Sequence, residues 1–275
     1  MLATLFAHEL RTQGRRTLIV LGLFSAVGLS AIALGLIPAL SDVGASIAFG
    51  AFSAAPAVAI VLLFIGYWQS MYGTRGYFTF MLPARGRTIF FAKVLHIIGM
   101  SFVSIGVASL GFFLLCHTRG AEMWADERHF HHGHHFHHGH EDFDWHAMGH
   151  GPYVLFALLG VFAVVGIATL VASIMSIGAH SRWSHMGFAA PVIGFITYWM
   201  VGGLAGFAGM LLLPMGIRTA DGAWVWQGMS HDILHQSHHR IPEVIGMGHI
   251  PVYAVMICAT AVWAVRTIES HTTLR

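Results

Sequence analysis

Histidine is the residue type in this sequence that could do the most chemistry, since 21 of the 275 residues are histidines. The neutral imidazole ring is the commonest metal ligand in proteins, and carboxylates complement it for Zn²⁺, Ni²⁺ or Cu²⁺. The densest tract consists of His129, His131, His132, His134, His135, His137, His138 and His140. Its repeated His-His-Gly spacing lets a flexible chain gather several imidazoles around one ion without dictating a unique set. The tract therefore predicts metal binding of modest affinity and poor selectivity.

A second group of histidines precedes the last apolar segment and consists of His231, His235, His238 and His239. If Ser230 caps a helix that Pro242 ends, positions 231, 235 and 238 or 239 share one face of it. Histidines at i and i+4 on a helix form a chelating pair. Two alternatives stay open for the histidines. One is pH sensing, because imidazoles titrate at about pH 6.5, and the other is an amphipathic external helix with its histidines at the lipid headgroups.

The composition assigns the chain to the integral membrane proteins. Charged residues make up 9%, against roughly a quarter in ordinary soluble domains. Hydrophobic residues make up 56%, and the mean hydropathy is +0.69. The two cysteines, Cys116 and Cys258, both lie in apolar runs and provide neither a disulfide framework nor a CxxC metal site. Charged residues before the first apolar run also argue against a cleavable signal peptide.

Six apolar segments are long enough to cross a bilayer core, which takes about 20 helical residues. They are 17–37, 45–68, 89–116, 153–179, 187–213 and 244–265. Ahead of the first one, Leu2, Leu5, Phe6 and Leu10 recur at helical spacing among polar residues, which is typical of a helix lying in the membrane interface. We therefore predict an all-α integral membrane protein with six transmembrane helices and an N-terminal interfacial helix. Gly202, Gly203, Gly206 and Gly209 predict a close helix contact in the fifth span, within the chain or in a dimer.

The distribution of lysine and arginine predicts the orientation of these spans. Six spans place both termini and alternate loops on one side of the membrane. That side holds Arg11, Arg15, Arg16, Arg75, Arg85, Arg87, Lys93, Arg182, Arg266 and Arg275. The other side holds Arg119, Arg128, Arg218 and Arg240. By the positive-inside rule, both termini face the cytoplasm of a cell whose plasma membrane the chain crosses several times.

The cytoplasmic segment between the second and third spans carries the most specific sequence pattern. It contains Gly76, Tyr77, Phe78, Phe80, Leu82, Pro83, Arg85 and Arg87, and Lys93 follows at the start of the third span. The order Arg-Gly-Tyr-x-Thr-x-x-Leu-Pro, followed by basic residues and this lysine, resembles the signature of small ABC-2-type transporter permeases. The resemblance implies that 76–87 is the coupling loop which contacts a separate ATPase subunit. The histidine-rich loop at 117–151, between the third and fourth spans, departs from the family, in which this loop is usually short.

The resemblance implies a single permease domain over 1–275, the membrane subunit of an ATP-driven exporter, paired with a second permease as a homo- or heterodimer. The chain has no GxxxxGK[ST] motif, and its only lysine is Lys93. It therefore has no P-loop of its own, so that ATP and Mg²⁺ would bind the partner subunit. We expect no enzymatic activity in this chain and no nucleic-acid partner. An ATP-independent metal-ion transporter or metal sensor is the alternative, and a haem subunit using His96 and His249 is a third hypothesis.

Deleting residues 127–150 tests the metal prediction, because it removes the whole first tract while leaving the apolar spans in place. We expect isothermal titration calorimetry with Zn²⁺ to show fewer bound ions per chain in the deletion variant than in the parent protein. A variant that keeps residues 127–150 but has His231, His235, His238 and His239 changed to glutamine measures the second group separately. Unchanged zinc stoichiometry after the deletion would refute metal binding by the tract.

Overall fold

The computed structural model describes residues 2–73, 76, 81, 85–130, 151–218, 223–230 and 244–270. Six helices in this part of the chain are long and apolar enough to cross a membrane, which agrees with a multi-pass membrane protein. The contacts divide the chain into two compact units. The first comprises Met1–Ala84 and Thr88–Glu141, and the second comprises Arg85–Arg87 and Asp142–Arg275. The prediction of one permease domain over 1–275 stays a prediction.

The first unit contains a continuous N-terminal helix with a π-helical turn in it, the helix that packs back on it, and the third membrane-length helix from Thr88 onward. Its elements are helix α1 (Leu2–Glu9), a π-helical turn (Leu10–Gly14), α2 (Arg15–Gly35), a 3₁₀ turn (Pro38–Leu40), α3 (Ser41–Met71) and α4 (Gly86–Phe130). The N-terminal helix does exist, and it continues through the π-helical turn into the first span. That α1 lies along the membrane surface stays a prediction. Helix α4 runs on into the predicted 117–151 loop as far as Phe130.

Small residues let α2 and α3 pack closely in this unit. A Cβ atom on Gly44 would lie 2.6 Å from the carbonyl oxygen of Ala31 and 2.7 Å from the backbone nitrogen of Gly35. Farther along the hairpin, the buried ring of Phe52 fills the space left by two other glycines: a Cβ on Gly28 or on Gly111 would come within 2.5 Å of it. The core of the first unit therefore combines alanine, leucine, isoleucine and phenylalanine side chains with closely approaching glycine backbone.

The second unit contains three membrane-length helices and a small sheet. Its elements are α5 (Gly151–Gly178), a 3₁₀ helix (Ser181–Met186), α6 (Ala189–Leu212), β1 (Gly216–Arg218), β2 (Trp224–Val225), β3 (Val244–Gly246) and α7 (His249–Ser270). The strands form an antiparallel sheet in the order β2-β1-β3. Gly187, with φ of 58°, turns the chain into α6. A residue with a side chain would be strained in that conformation.

Two details of this unit correct the sequence prediction. The last span was predicted at 244–265, but the helix begins at His249, and Val244–Gly246 pairs with β1 as a strand. Pro251 therefore lies in the first turn of α7, where a backbone N–H has no helical partner and proline costs little. The sheet itself departs from a purely α-helical chain. It is confined to a few residues and leaves the six-helix prediction intact.

The glycines of the fifth span pack against α7 within the chain. A Cβ on Gly209 would lie 2.6 Å from Val252 Cγ2 and 2.9 Å from the carbonyl oxygen of Gly248. Gly202 and Gly206 both face Tyr253, whereas Gly203 has no atom within 4 Å of its Cβ position. Close packing of α6 on α7 therefore accounts for three of the four glycines.

We expect Gly209→Val to destabilise the protein, because the added atoms meet the backbone of Gly248 and cannot be accommodated by a rotamer change. Overpacking of this kind costs about 1–3 kcal/mol. Gly203→Val adds the same atoms to the same helix at an open position and is the matched control. Thermal unfolding followed by tryptophan fluorescence in detergent would measure both variants. Equal midpoints for the two variants would contradict the described packing.

Candidate functional site

The most unusual polar contact in the first unit starts from the π-helical turn. A π-helical turn has one residue more than an α-helical turn, and such turns are frequent at functional sites. Here it spans Leu10–Gly14 and joins α1 to α2 without a break in the helix. Glu9 is the last residue before the turn and Gln13 lies within it. The Glu9 side chain contacts α4 and the Gln13 side chain contacts α3, the two helices on either side of residues 76–87.

Glu9 forms an ion pair with Lys93 in the interior of the unit. The Lys93 ammonium donates a hydrogen bond to Oε1 of the Glu9 carboxylate. The side chain of Lys93 is 4% exposed and that of Glu9 is 14% exposed. The same ammonium donates to Oγ of Ser70 across 2.8 Å. One cation thus joins the end of α1, the last turn of α3 and the beginning of α4.

Gln13 adds a second connection between the N-terminal helix and α3. Its Nε2 donates to the carbonyl oxygen of Gly66 across 3.2 Å and to Oγ of Ser70 across 3.3 Å. The Ser70 hydroxyl in turn donates to the carbonyl oxygen of Tyr67 across 3.1 Å. Gly66 permits this approach, since a Cβ there would lie 2.6 Å from Oε1 of Gln13. Ser70 therefore accepts hydrogen bonds from both long side chains and is the centre of the network.

The energetics of this network depend on its being complete. Removing a charge from water costs several kcal/mol, and only a well-placed partner with further hydrogen bonds offsets that cost. The Lys93 ammonium has the Glu9 carboxylate and the Ser70 hydroxyl as acceptors. Either charge alone would be buried without compensation. The pair consequently fixes which residues of α1, α3 and α4 lie next to each other.

His96 lies one helical turn beyond Lys93 and is also buried, with 2% of its surface exposed. Phe6 packs against its ring in an edge-to-face arrangement with centroids 6.3 Å apart. Among the residues that the structure describes, neither ring nitrogen of His96 has a hydrogen-bond partner. In the second unit, His249 packs edge-to-face on Tyr253. The haem hypothesis requires both histidines to face one porphyrin ring, and it stays a prediction.

The coupling segment predicted at 76–87 is described at five positions, one of which is Gly86 at the start of α4. Gly76 is buried and donates its backbone N–H to the carbonyl oxygen of Gly73 across 2.8 Å. Met81 is 78% exposed, and Arg85 and Arg87 are both exposed. The remaining predicted contact residues lie outside the described residues: Tyr77, Phe78, Phe80, Leu82 and Pro83.

The predicted metal ligands fall almost wholly outside the part of the chain that the structure covers. His129 belongs to the last turn of α4, and nothing is described for the other eleven, which lie at 131–140 and 231–239. Within the described ranges, no group of three or more histidine, cysteine, aspartate or glutamate side chains converges. Metal binding by either histidine group stays a prediction.

Sequence reasoning identified Lys93 but missed its partners. The charge count treated Lys93 as a surface charge on the cytoplasmic side, whereas its side chain and that of Glu9 are both largely buried. Without Lys93 the count is nine cations against four, and the orientation it predicts is unchanged. One signal pointed to the pair: Lys93 stands alone within an apolar run, where an unpaired ammonium is costly. The identity of its partner depends on the tertiary contact of α1.

Comparison of the chain with protein-family models, with curated proteins and with solved structures finds no match.

A double-mutant cycle on Glu9 and Lys93 tests the network. Breaking a buried ion pair by removing one partner costs about 3–5 kcal/mol, so we expect Glu9→Gln and Lys93→Met each to lower the unfolding midpoint in detergent. The double variant Glu9→Gln/Lys93→Met leaves no buried charge, and we expect it to be more stable than either single variant. Arg16→Gln, at an exposed position on α2, is the control. Additive losses in the double variant would show that the two side chains do not interact.

Proposed function

We propose that this chain is the membrane-spanning permease subunit of an ABC-2-type exporter, driven by ATP hydrolysis on a separate subunit. Six apolar helices and the sequence pattern that ends at Lys93 support the proposal. The observation that carries it is the buried pair of Lys93 with Glu9, because this pair ties the lysine of that pattern to the N-terminal helix.

The network offers a path for movement from the coupling segment into the membrane. The segment leaves α3 after Met71 and enters α4 at Gly86. Lys93 lies two turns inside α4, and its contacts reach α3 through Ser70 and α1 through Glu9. A displacement of the segment would therefore move three helix ends together rather than one loop. ATP binding on the partner would drive that displacement, and a path at the permease interface would open outward.

The described ends of the segment have the chemistry of a docking element. Arg85 and Arg87 are exposed, and the described residues include no ion pair for either guanidinium. Met81 presents an apolar side chain to the exterior. We infer that the ATPase subunit offers an acidic rim for the arginines and an apolar pocket for Tyr77, Phe78 and Phe80. Apolar anchors supply most of the affinity in such an interface, and rim charges supply orientation and association rate.

The complete assembly would contain two permeases, identical or related, and two ATPase subunits that bind ATP and Mg²⁺. Both termini and the coupling segment would face the cytoplasm, and the histidine-rich loop would face outward to bind metal or respond to pH. The competing proposal is an ATP-independent metal transporter or sensor that uses the external histidines.

Charge reversal of the segment tests the proposed partner contact. We expect Arg85→Glu/Arg87→Glu to weaken binding of the proposed ATPase subunit by about tenfold or more, since like charges would then meet at the rim. Arg15→Glu/Arg16→Glu reverses two exposed charges on the same predicted side and is the matched control. Co-purification and ATPase stimulation by the reconstituted permease are the measurements. Equal binding by both double variants would contradict the docking role.

The Lys93→Met variant separates docking from transmission in the same assay. If the buried pair transmits movement, Lys93→Met should bind the ATPase normally while losing most of the stimulation of hydrolysis. The stability-matched double variant Glu9→Gln/Lys93→Met should behave likewise, because it lacks the ionic link without leaving a buried charge. Full stimulation in the double variant would exclude a transmitting role for the pair.

A further inference from the structure

The second unit contains a lateral groove between α5, α6 and α7 with a cavity of about 470 Å³. Its volume lies within the range of ordinary ligand pockets, about 300–1,000 Å³. The walls are formed by side chains such as Ile174, Ile193, Val201 and Met256, with Thr197 and Thr260 among them. Both threonine hydroxyls donate to carbonyl oxygens of their own helices, across 2.9 Å for Thr197 and 3.0 Å for Thr260. The two threonines therefore leave the surface between them largely apolar.

The groove opens sideways at the level of membrane-spanning helices. Val201 is 55% exposed, Ile193 is 42% exposed, and both line the cavity. From Ala190 to Val201 the helix rises by roughly 16 Å, which is about half of a hydrocarbon core of about 30 Å. A molecule that fills the groove thus enters from the bilayer and spans one leaflet.

The apolar lining and the position of the groove favour an acyl chain. Its walls lie along helices that are long and apolar enough to cross a membrane, where lipid tails are the surrounding solvent. An acyl chain is thin and flexible enough to enter the groove. A second copy of this protein could instead cover the opening.

One end of the groove carries the features of a membrane interface. Trp183 and Trp263 line it there, and tryptophan is enriched at the headgroup level of membranes. Arg266 lies three residues after Trp263, is exposed, and has no ion pair among the described residues. Arg182, the residue before Trp183 in the sequence, is a second cation near this end. A negatively charged headgroup at this end would meet positive charge.

We propose that this groove binds an anionic phospholipid, with one acyl chain between α6 and α7 and the phosphate beside Arg266. The predicted topology places this end at the cytoplasmic leaflet, whose surface is negatively charged because it contains anionic lipids. The assignment does not depend on a partner ATPase, so a failure of the coupling experiments would leave it standing.

Native mass spectrometry of the whole protein tests the proposal with two probes, dioleoylphosphatidylglycerol and dioleoylphosphatidylcholine. We expect the delipidated protein to bind one phosphatidylglycerol per chain in preference to phosphatidylcholine. Thr197→Trp places an indole in the groove and should abolish this binding. Ile196→Trp changes the neighbouring exposed residue, which does not line the groove, and should bind as the parent does. Arg266→Gln should reduce the preference for phosphatidylglycerol by about fivefold.

Val201→Trp at the rim of the groove repeats the test if Thr197→Trp fails to give a monodisperse protein. Equal phospholipid retention by the groove variant and by Ile196→Trp would overturn the proposal. Equal affinity of the parent protein for the two lipids would overturn the assignment of an anionic headgroup. If the groove variant instead loses a dimer that chemical cross-linking detects in the parent, the surface belongs to a second copy and the lipid assignment is wrong.

Discussion

The buried ammonium of Lys93 constrains how the helices of the first unit are arranged. A cation with 4% of its side chain exposed needs a counter-charge and further acceptors. Glu9 and Ser70 supply them. Meeting that requirement fixes the end of α1 against the last turn of α3 and the start of α4. Apolar packing alone tolerates sliding of one helix along another, whereas this pair specifies one position. The segment 76–87, for which a coupling role is predicted, connects α3 with α4, two of the elements that the pair joins.

The six spans could be predicted from the sequence because a bilayer imposes one simple rule on length and hydropathy. Their ends were harder to predict. The start of α7 was placed too early, since Val244–Gly246 is as apolar as a helix and only its pairing with β1 shows it to be a strand. The extension of α4 to Phe130 was missed, because a polar, histidine-containing sequence carries no hydropathy signal for a helix outside the membrane.

Half of the candidate site was visible in the sequence. The sequence pattern alone identifies the charges that stand beside apolar runs, which are Lys93, Arg85 and Arg87. It does not identify Glu9, Gln13 and Ser70, because they are joined to the network by contacts between residues more than fifty positions apart in the chain. In the second unit, the glycines of α6 were likewise recognised as a packing face, but only the structure shows that Gly209 meets Gly248, the residue before α7. The two helices are in close contact there, and the lateral groove lies between them farther along.

The π-helical turn at Leu10–Gly14 has a consequence for how this site is encoded. It gives the N-terminal helix one residue more than an uninterrupted α-helix would have. Each residue rotates a helix by about 100°, so that extra residue determines the direction in which Glu9 points relative to α2. A deletion of one residue within the turn would leave Glu9, Lys93 and Ser70 chemically unchanged and still turn the carboxylate away from the ammonium. The position of the buried charge thus depends on the number of residues in the turn as well as on the residue types.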